Sequence, residues 1–108
     1  MIENFKFYYK NIIINLITVL GDKNKELRSI ALQQIDFIGN LHGYESILLI
    51  LNTYTLNENI FIKENVLDIF ITQYKIFSLS QLKNIFLLSN DKNKTIREKA
   101  EKLIKILI

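Results

Sequence analysis

The sequence contains no cysteine and no proline, and only three of its 108 residues are glycine. Without cysteine the chain cannot build a disulfide framework, a thiolate metal site or a cysteine nucleophile. A β-sandwich or β-barrel is also disfavoured, because those folds need many tight turns and turn-forming residues are scarce. Hydrophobic residues make up 49% of the chain, a fraction too high for a disordered protein. Its length of 108 residues is enough for one packed core. We therefore predict one all-α domain over residues 1–108, stabilised by packing alone.

The N-terminal region resembles a targeting signal only in part. Lys6 and Lys10 precede the apolar run from Ile12 to Leu20, but no small-residue cleavage site follows it. The run is also far shorter than the roughly 20 residues that span a bilayer. We expect a soluble, cytoplasmic protein with no membrane partner.

Charge is distributed unevenly along the chain. The formal net charge is +3, and residues 1–38, 39–74 and 75–108 carry +1, −3 and +5. A basic excess can indicate a polyanion partner, but here it is confined to the last third and follows an acidic segment. Charge alone is therefore weak support for nucleic-acid binding.

Three segments of the chain align without a gap, at spacings of 35 and 34 residues. They read DKNKELRSIA from Asp22, NENIFIKENV from Asn57 and DKNKTIREKA from Asp91. Five columns carry matched chemistry: Asp22, Asn57 and Asp91; Asn24, Asn59 and Asn93; Leu27, Ile62 and Ile96; Arg28, Lys63 and Arg97; Ala31, Val66 and Ala100. Apolar helical segments upstream align at the same offsets, so each repeat is predicted to be a pair of helices.

The second column predicts where helices begin, since an asparagine side chain can accept from the unpaired amides of a first helical turn. We predict six helices, at about residues 3–20, 25–38, 44–55, 60–75, 79–89 and 94–107. Gly21 and Asn90 suit left-handed C-caps, and the GNLHG segment at residues 39–43 suits a turn between helices.

Apolar residues at helical spacing predict the buried face of each second helix. The predicted faces are Leu27, Ile30, Ala31, Ile35 and Ile38, with Gln34 at the margin; Ile62, Val66, Ile69 and Phe70; and Ile96, Ala100, Leu103, Ile104 and Leu107. Ala31 and Ala100 are the only alanines in the chain and share a column, as expected where two helices approach closely.

A helix pair with Asp in its turn, Arg six residues later and a small residue three further on resembles the HEAT-repeat family. Asp22, Arg28 and Ala31 fit this pattern, as do the equivalent residues of the third segment, and the likeness covers about residues 11–108. The resemblance implies an α-solenoid of about three helix pairs that acts as an adaptor or scaffold, without a cofactor. Tetratricopeptide and pentatricopeptide arrays share the period, but they rely on Gly, Ala and Pro at fixed positions. Another α-solenoid or a helical bundle is the remaining alternative.

The resemblance also implies a structural ladder of hydrogen bonds between neighbouring repeats. Its members here are Asp22, Arg28, Asn57, Lys63, Asp91 and Arg97. An arginine fork can bind a turn carboxylate through two bonds, whereas Lys63 offers only a point charge. We expect the middle rung to be the weaker one.

Catalytic and metal chemistry have little support in the sequence. His42 is the only histidine and lies in the predicted turn, where a solvated side chain is expected. Glu98 and Glu101 alternate with lysines on one helix, as on a solvated helix face. We expect a non-enzyme with no metal and no cofactor.

We therefore favour a protein, of unknown identity, as the binding partner. The alternative is a nucleic acid, bound through the basic C-terminal helix pair at Lys92, Lys94, Lys99, Lys102 and Lys105, although a continuous basic track is missing. Two apolar clusters are candidate interfaces, possible also in a homodimer: Phe5, Phe7, Tyr8 and Tyr9 at the first helix, and Ile106 and Ile108 at the last. The ending LIKILI predicts that some of the C-terminal apolar surface stays exposed.

Overall fold

The computed structural model describes the backbone of residues 2–108 and the side chains from residue 9 onward. Six α-helices follow one another: α1 Ile2–Leu20, α2 Lys25–His42, α3 Glu45–Leu51, α4 Ile60–Thr72, α5 Leu82–Leu88 and α6 Lys94–Leu107. Short 3₁₀ turns extend α3 and α4 and precede α5, at Asn52–Tyr54, Tyr74–Ile76 and Leu79–Gln81. No strand occurs in the described residues, which confirms the all-α class.

The second helix of each repeat begins at its predicted asparagine. The Oδ1 atoms of Asn24, Asn59 and Asn93 all accept from backbone amides in the first turn of α2, α4 and α6. In all three repeats, an asparagine at the same position thus accepts from backbone N–H groups of the first turn that would otherwise be unpaired.

The predicted turn at residues 39–43 is wrong. Helix α2 continues through Gly39 to His42, and only Gly43, with φ of 91°, leaves helical geometry. Gly39 lies buried in the helix because the ring of Tyr44 packs where a Cβ would stand. The close approach of a ring, and not a change of chain direction, accounts for this glycine.

The left-handed C-caps predicted at Gly21 and Asn90 are also wrong, since Gly43 is the only described residue with positive φ. Position 21 requires a glycine because there is no room for a side chain there. A Cβ there would lie 2.8 Å from Nδ2 of Asn59 and 2.9 Å from Cδ1 of Ile62. This glycine therefore lets the first repeat approach the start of α4.

The buried residues form one cluster, to which all six helices contribute. Helix α1 packs against α2, α3 and α4, while α6 packs against both α4 and α5. The predicted core residues of α4 (Ile62, Val66, Ile69 and Phe70) are all buried, as are Ile96, Ala100 and Leu103 of α6. The centre of the cluster thus lies where α4 meets its neighbours on both sides.

Helix α2 departs from its predicted burial. Ala31 and Ile35 are buried, but Leu27 and Ile30 are 44% and 54% exposed. Around the helix axis, Leu27 lies about 40° and Ile30 about 100° from Ala31, on the side away from Ile35. The prediction that they belong to the core is wrong, since no element of the described chain packs on that side of α2.

Candidate interaction surfaces

The turn before each second helix has the same local structure in all three repeats. The side chains of Asp22, Asn57 and Asp91 each accept from the backbone amide two residues later, at 2.8 to 2.9 Å. These residues therefore hold the capping asparagine in place. This local role differs from the inter-repeat rung that the HEAT resemblance implies for the same column.

The two arginines of the next column bond to backbone carbonyls of their own turns, and the structure gives them no bond to a carboxylate. Nη1 of Arg28 donates to the carbonyls of Asp22 and Lys23, at 2.7 and 3.0 Å. Nη1 of Arg97 donates to the equivalent pair, Asp91 and Lys92, at 2.9 Å each. Both arginines thereby close the turn that precedes their helix.

Arg28 also reaches across to the second repeat. Its guanidinium carbon lies 3.9 Å from the ring centre of Phe61, within cation–π range. Beside it, Nδ2 of Asn59 donates to the carbonyl of Gly21 at 3.0 Å. A cation–π contact and one hydrogen bond from a side-chain amide thus join the first repeat to the second.

We expect Arg28→Ala to lower the free energy of unfolding by about 1 to 2 kcal/mol, because it removes two carbonyl bonds and the cation–π contact. Arg28→Lys keeps the charge but loses the planar guanidinium group. It should therefore retain less than half of the unfolding free energy that Arg28→Ala loses. Urea unfolding monitored by circular dichroism measures both. Equal stability of all three proteins would show that Arg28 has no structural role.

The second and third repeats are joined by ion pairs. Nζ of Lys63 lies 2.7 Å from Oδ1 of Asp91, and both side chains are largely buried. Nζ of Lys99, on α6, lies 2.9 Å from Glu64 and 2.8 Å from Asp68, both on α4. Of the predicted ladder, only Lys63 and Asp91 are brought together across a repeat boundary by a bond that the structure shows.

The pKa of Asp91 is lowered by the hydrogen bond from Lys63 and by the amide of Asn93, which together outweigh the opposing effect of burial. A carboxyl with a lower pKa in the folded than in the unfolded chain stabilises the fold at pH above its unfolded value. We therefore expect stability to fall as the pH drops below about 4, the ordinary range of an aspartate. Thermal unfolding from pH 6 to pH 2 tests this, and Asp91→Asn should lose part of the acid sensitivity.

The exposed apolar face of α2 consists of four large side chains and one amide, which we name the α2 stripe. Its members are Leu27, Ile30, Gln34, Phe37 and Leu41. Phe37 and Leu41 are 63% and 65% exposed. Apolar surface of this kind, contiguous along a helix, is typical of a site that another molecule covers.

The repeat alignment shows what covers the equivalent face elsewhere in the chain. The α2 stripe aligns with Ile62, Asn65, Ile69 and Thr72 of α4, and with Ile96, Lys99, Leu103 and Ile106 of α6. On α4 these residues face the first repeat, since Ile62 lies against Gly21, while Ile69 and Thr72 line a groove with Leu32 of α2. On α6 they face α4, as the Lys99 ion pairs show. The equivalents of Leu27 and Gln34 are therefore buried on both α4 and α6, whereas Leu27 and Gln34 themselves are exposed. Thr72 and Ile106, which align with Phe37, are exposed on their own helices as well.

The outer side of α6 is charged. On α4 the side turned to α6 includes Leu67, which is buried, and Ile71, which is half-buried. The residues of α6 that align with these two are Glu101 and Lys105, and both are exposed. The corresponding side of the last helix is therefore polar and exposed.

The C-terminal isoleucines are exposed as the sequence predicts, Ile106 to 38% and Ile108 to 84%. Ile106 lies in the column that turns toward α4, and Ile108 follows the end of α6. They form a small apolar edge beside the charged face of α6. Whether a partner covers them stays a prediction.

The five lysines considered for polyanion binding do not share one surface role. Lys99 is held by two carboxylates, and Lys94 lies 3.8 Å from Glu98. Lys92 is exposed in the turn before α6, and Lys102 and Lys105 are exposed on α6, where Glu98 and Glu101 lie beside them. The basic residues therefore alternate with acidic ones.

Of the N-terminal aromatic cluster, Phe5, Phe7 and Tyr8 lie outside the described side chains. Tyr9 is half-buried, and burial raises its pKa. Its ring meets that of His42 edge to face, 6.1 Å between centres. Tyr9 also lines an open groove of about 600 Å³ between α1 and α3, together with Ile14, Leu49 and Tyr54.

Two kinds of site are not found in the described part of the chain. None of its helices combines the length and hydrophobicity needed to cross a membrane. Nor does any group of three or more acidic, histidine or cysteine side chains among those described come together as a metal site.

Comparison of the chain with protein-family models, with curated proteins and with solved structures gave no match.

Proposed function

We propose that this protein is a non-catalytic interaction module, built as a short HEAT-like α-solenoid of three helix pairs, that binds a helical protein segment on the α2 stripe. One observation carries the proposal. Leu27 and Gln34 are exposed on α2, within a face that is otherwise apolar, whereas the residues that align with them on α4 and α6 are buried. Stacked helix pairs extend by covering this kind of face, so a helix from a partner would continue the stack.

The composition of the stripe supports a protein partner. Helix-in-groove recognition uses apolar anchors three, four and seven residues apart, and the stripe offers leucine, isoleucine and phenylalanine at that spacing. None of the five residues of the stripe is charged. A nucleic acid would instead require a continuous basic surface, whereas the lysines of α6 alternate with Glu98 and Glu101.

Affinity capture with a matched pair of variants tests the function. Phe37 on the stripe and Phe86 on α5 are both exposed phenylalanines, so Phe37→Glu and Phe86→Glu make the same chemical change at two places. We expect proteins captured from the source cells by the unmodified chain to be kept by Phe86→Glu and lost by Phe37→Glu. Capture that both variants retain would refute the assignment of the stripe.

Titration with labelled duplex and single-stranded nucleic acid at two salt concentrations tests the alternative. The proposal expects weak binding that Lys102→Glu does not change. Tight binding with a steep salt dependence, reduced by Lys102→Glu, would replace the protein-binding function with a nucleic-acid one.

A further inference from the structure

We infer that the occupant of the α2 stripe is a second copy of this chain, bound by antiparallel pairing of α2 with its counterpart around a two-fold axis near Gln34. The inference rests on the proposed function, because it names the partner of that same surface.

The spacing of the stripe fits a helix as occupant. Its residues follow one another at intervals of three, four, three and four, which is the seam of a two-helix coiled coil. The seam from Leu27 to Leu41 covers 14 residue steps of α2, about 21 Å at 1.5 Å per residue. A straight apolar seam of that length matches another helix better than it matches a loop or a strand.

The stripe is complementary to itself when one helix is reversed. With Gln34 on the axis, Leu27 lies opposite Leu41 of the second copy, and Ile30 lies opposite Phe37. The two Gln34 amides meet at the centre, where each can donate to the carbonyl oxygen of the other. Every apolar side chain thus meets an apolar one, as a two-fold interface requires.

The flanks of the stripe also favour the antiparallel arrangement. Along one side run Glu26, Gln33 and Asn40, of which only Glu26 is charged. Antiparallel pairing places Glu26 near Asn40 of the other copy and sets each helix N-terminus against a C-terminus. Parallel pairing would instead bring like helix ends together.

Head-to-tail stacking of copies is disfavoured by the charge of α6. Its outer face presents Glu98, Glu101, Lys102 and Lys105. Covering these charges with the four apolar side chains of the stripe would take them out of water and give them no new polar partner, which is unfavourable. Two copies therefore meet through their α2 ends and keep both charged ends in solvent.

The absence of cysteine makes disulfide trapping a clean test, because a single introduced cysteine is the only thiol. In a glutathione redox buffer we expect Gln34→Cys to form a covalent dimer, since the residue lies on the axis. We expect Leu27→Cys and Leu41→Cys to cross-link with each other when mixed, and much less with themselves. Glu98→Cys, on the charged face of α6, is the control and should stay monomeric.

Sedimentation of the unmodified chain from low micromolar to near millimolar concentration completes the test. We expect a monomer–dimer equilibrium that Phe37→Glu shifts at least tenfold toward monomer and Phe86→Glu leaves unchanged. A monomer at all concentrations, or Gln34→Cys no more cross-linked than Glu98→Cys, would overturn the inference. Preferred pairing of Leu27→Cys with itself would overturn the antiparallel arrangement.

The proposed function and this inference fail in different ways. If the chain is monomeric but Phe37→Glu abolishes capture of another protein, the stripe is a binding site and the second copy is not its occupant. If Phe37→Glu changes neither capture nor sedimentation, both proposals are wrong.

Discussion

Phe70→Ala should lower the free energy of unfolding by about 3 to 5 kcal/mol, the usual cost of removing a fully buried phenylalanine ring. Phe70 lies on α4 with no exposed surface. Its ring meets that of Phe77 edge to face, 5.0 Å between centres at an interplanar angle of 69°. Because Phe77 follows α4 and precedes α5, this ring pair ties the second repeat to the third.

Chemical denaturation of Phe70→Ala, with Phe86→Ala as control, measures the effect. Phe86 is 45% exposed, so its removal should cost less than about 1 kcal/mol. If the two variants lost equal stability, α4 would not lie at the centre of the core.

Lys63→Ala should lower the free energy of unfolding by about 1 to 3 kcal/mol, because it leaves the largely buried carboxylate of Asp91 without its cation. The Lys63–Asp91 pair, 2.7 Å between Nζ and Oδ1, connects the second helix of one repeat to the turn of the next. The loss should be larger at neutral pH than at pH 3, where Asp91 is partly protonated in the unfolded chain.

A double-mutant cycle isolates the contribution of this pair. We expect Lys63→Ala and Asp91→Ala together to cost clearly less than the sum of the single changes. Lys94 with Glu98 provides the control cycle, since that pair is highly exposed and should show a coupling below about 0.5 kcal/mol. Additive effects at Lys63 and Asp91 would mean that the ion pair contributes nothing to the joint between repeats.

Local features of the fold could be predicted from the sequence because their causes are local. The three capping asparagines start α2, α4 and α6 where the repeat places them. A cap depends on a side chain and the amides two or three residues away, so the pattern is enough to locate it. The wrong turn at Gly39 shows the limit, since the reason for that glycine is the ring of Tyr44 packed against it.

Contacts between repeats could be predicted less well. Periodicity places Leu27 and Ile30 on an apolar face, but one sequence does not show whether a neighbour exists to cover that face. The two ion pairs of Lys99 were missed for the same reason, because they depend on how α6 lies on α4. A signal for the α2 stripe was present in the sequence, because Leu27 to Leu41 follow the three-four spacing of one helix face. The core positions Ala31 and Ile35 lie on a different face.

We propose that the α2 stripe is open in the isolated chain and covered in the assembled one. Hydroxyl-radical footprinting of the unmodified chain, followed by mass spectrometry over increasing protein concentration, tests it most directly. The account predicts that oxidation of Phe37 falls as concentration rises, while oxidation of Phe86, exposed on α5, stays constant. Constant oxidation of Phe37, or protection at Ile106 and Ile108 without protection at Phe37, would contradict it.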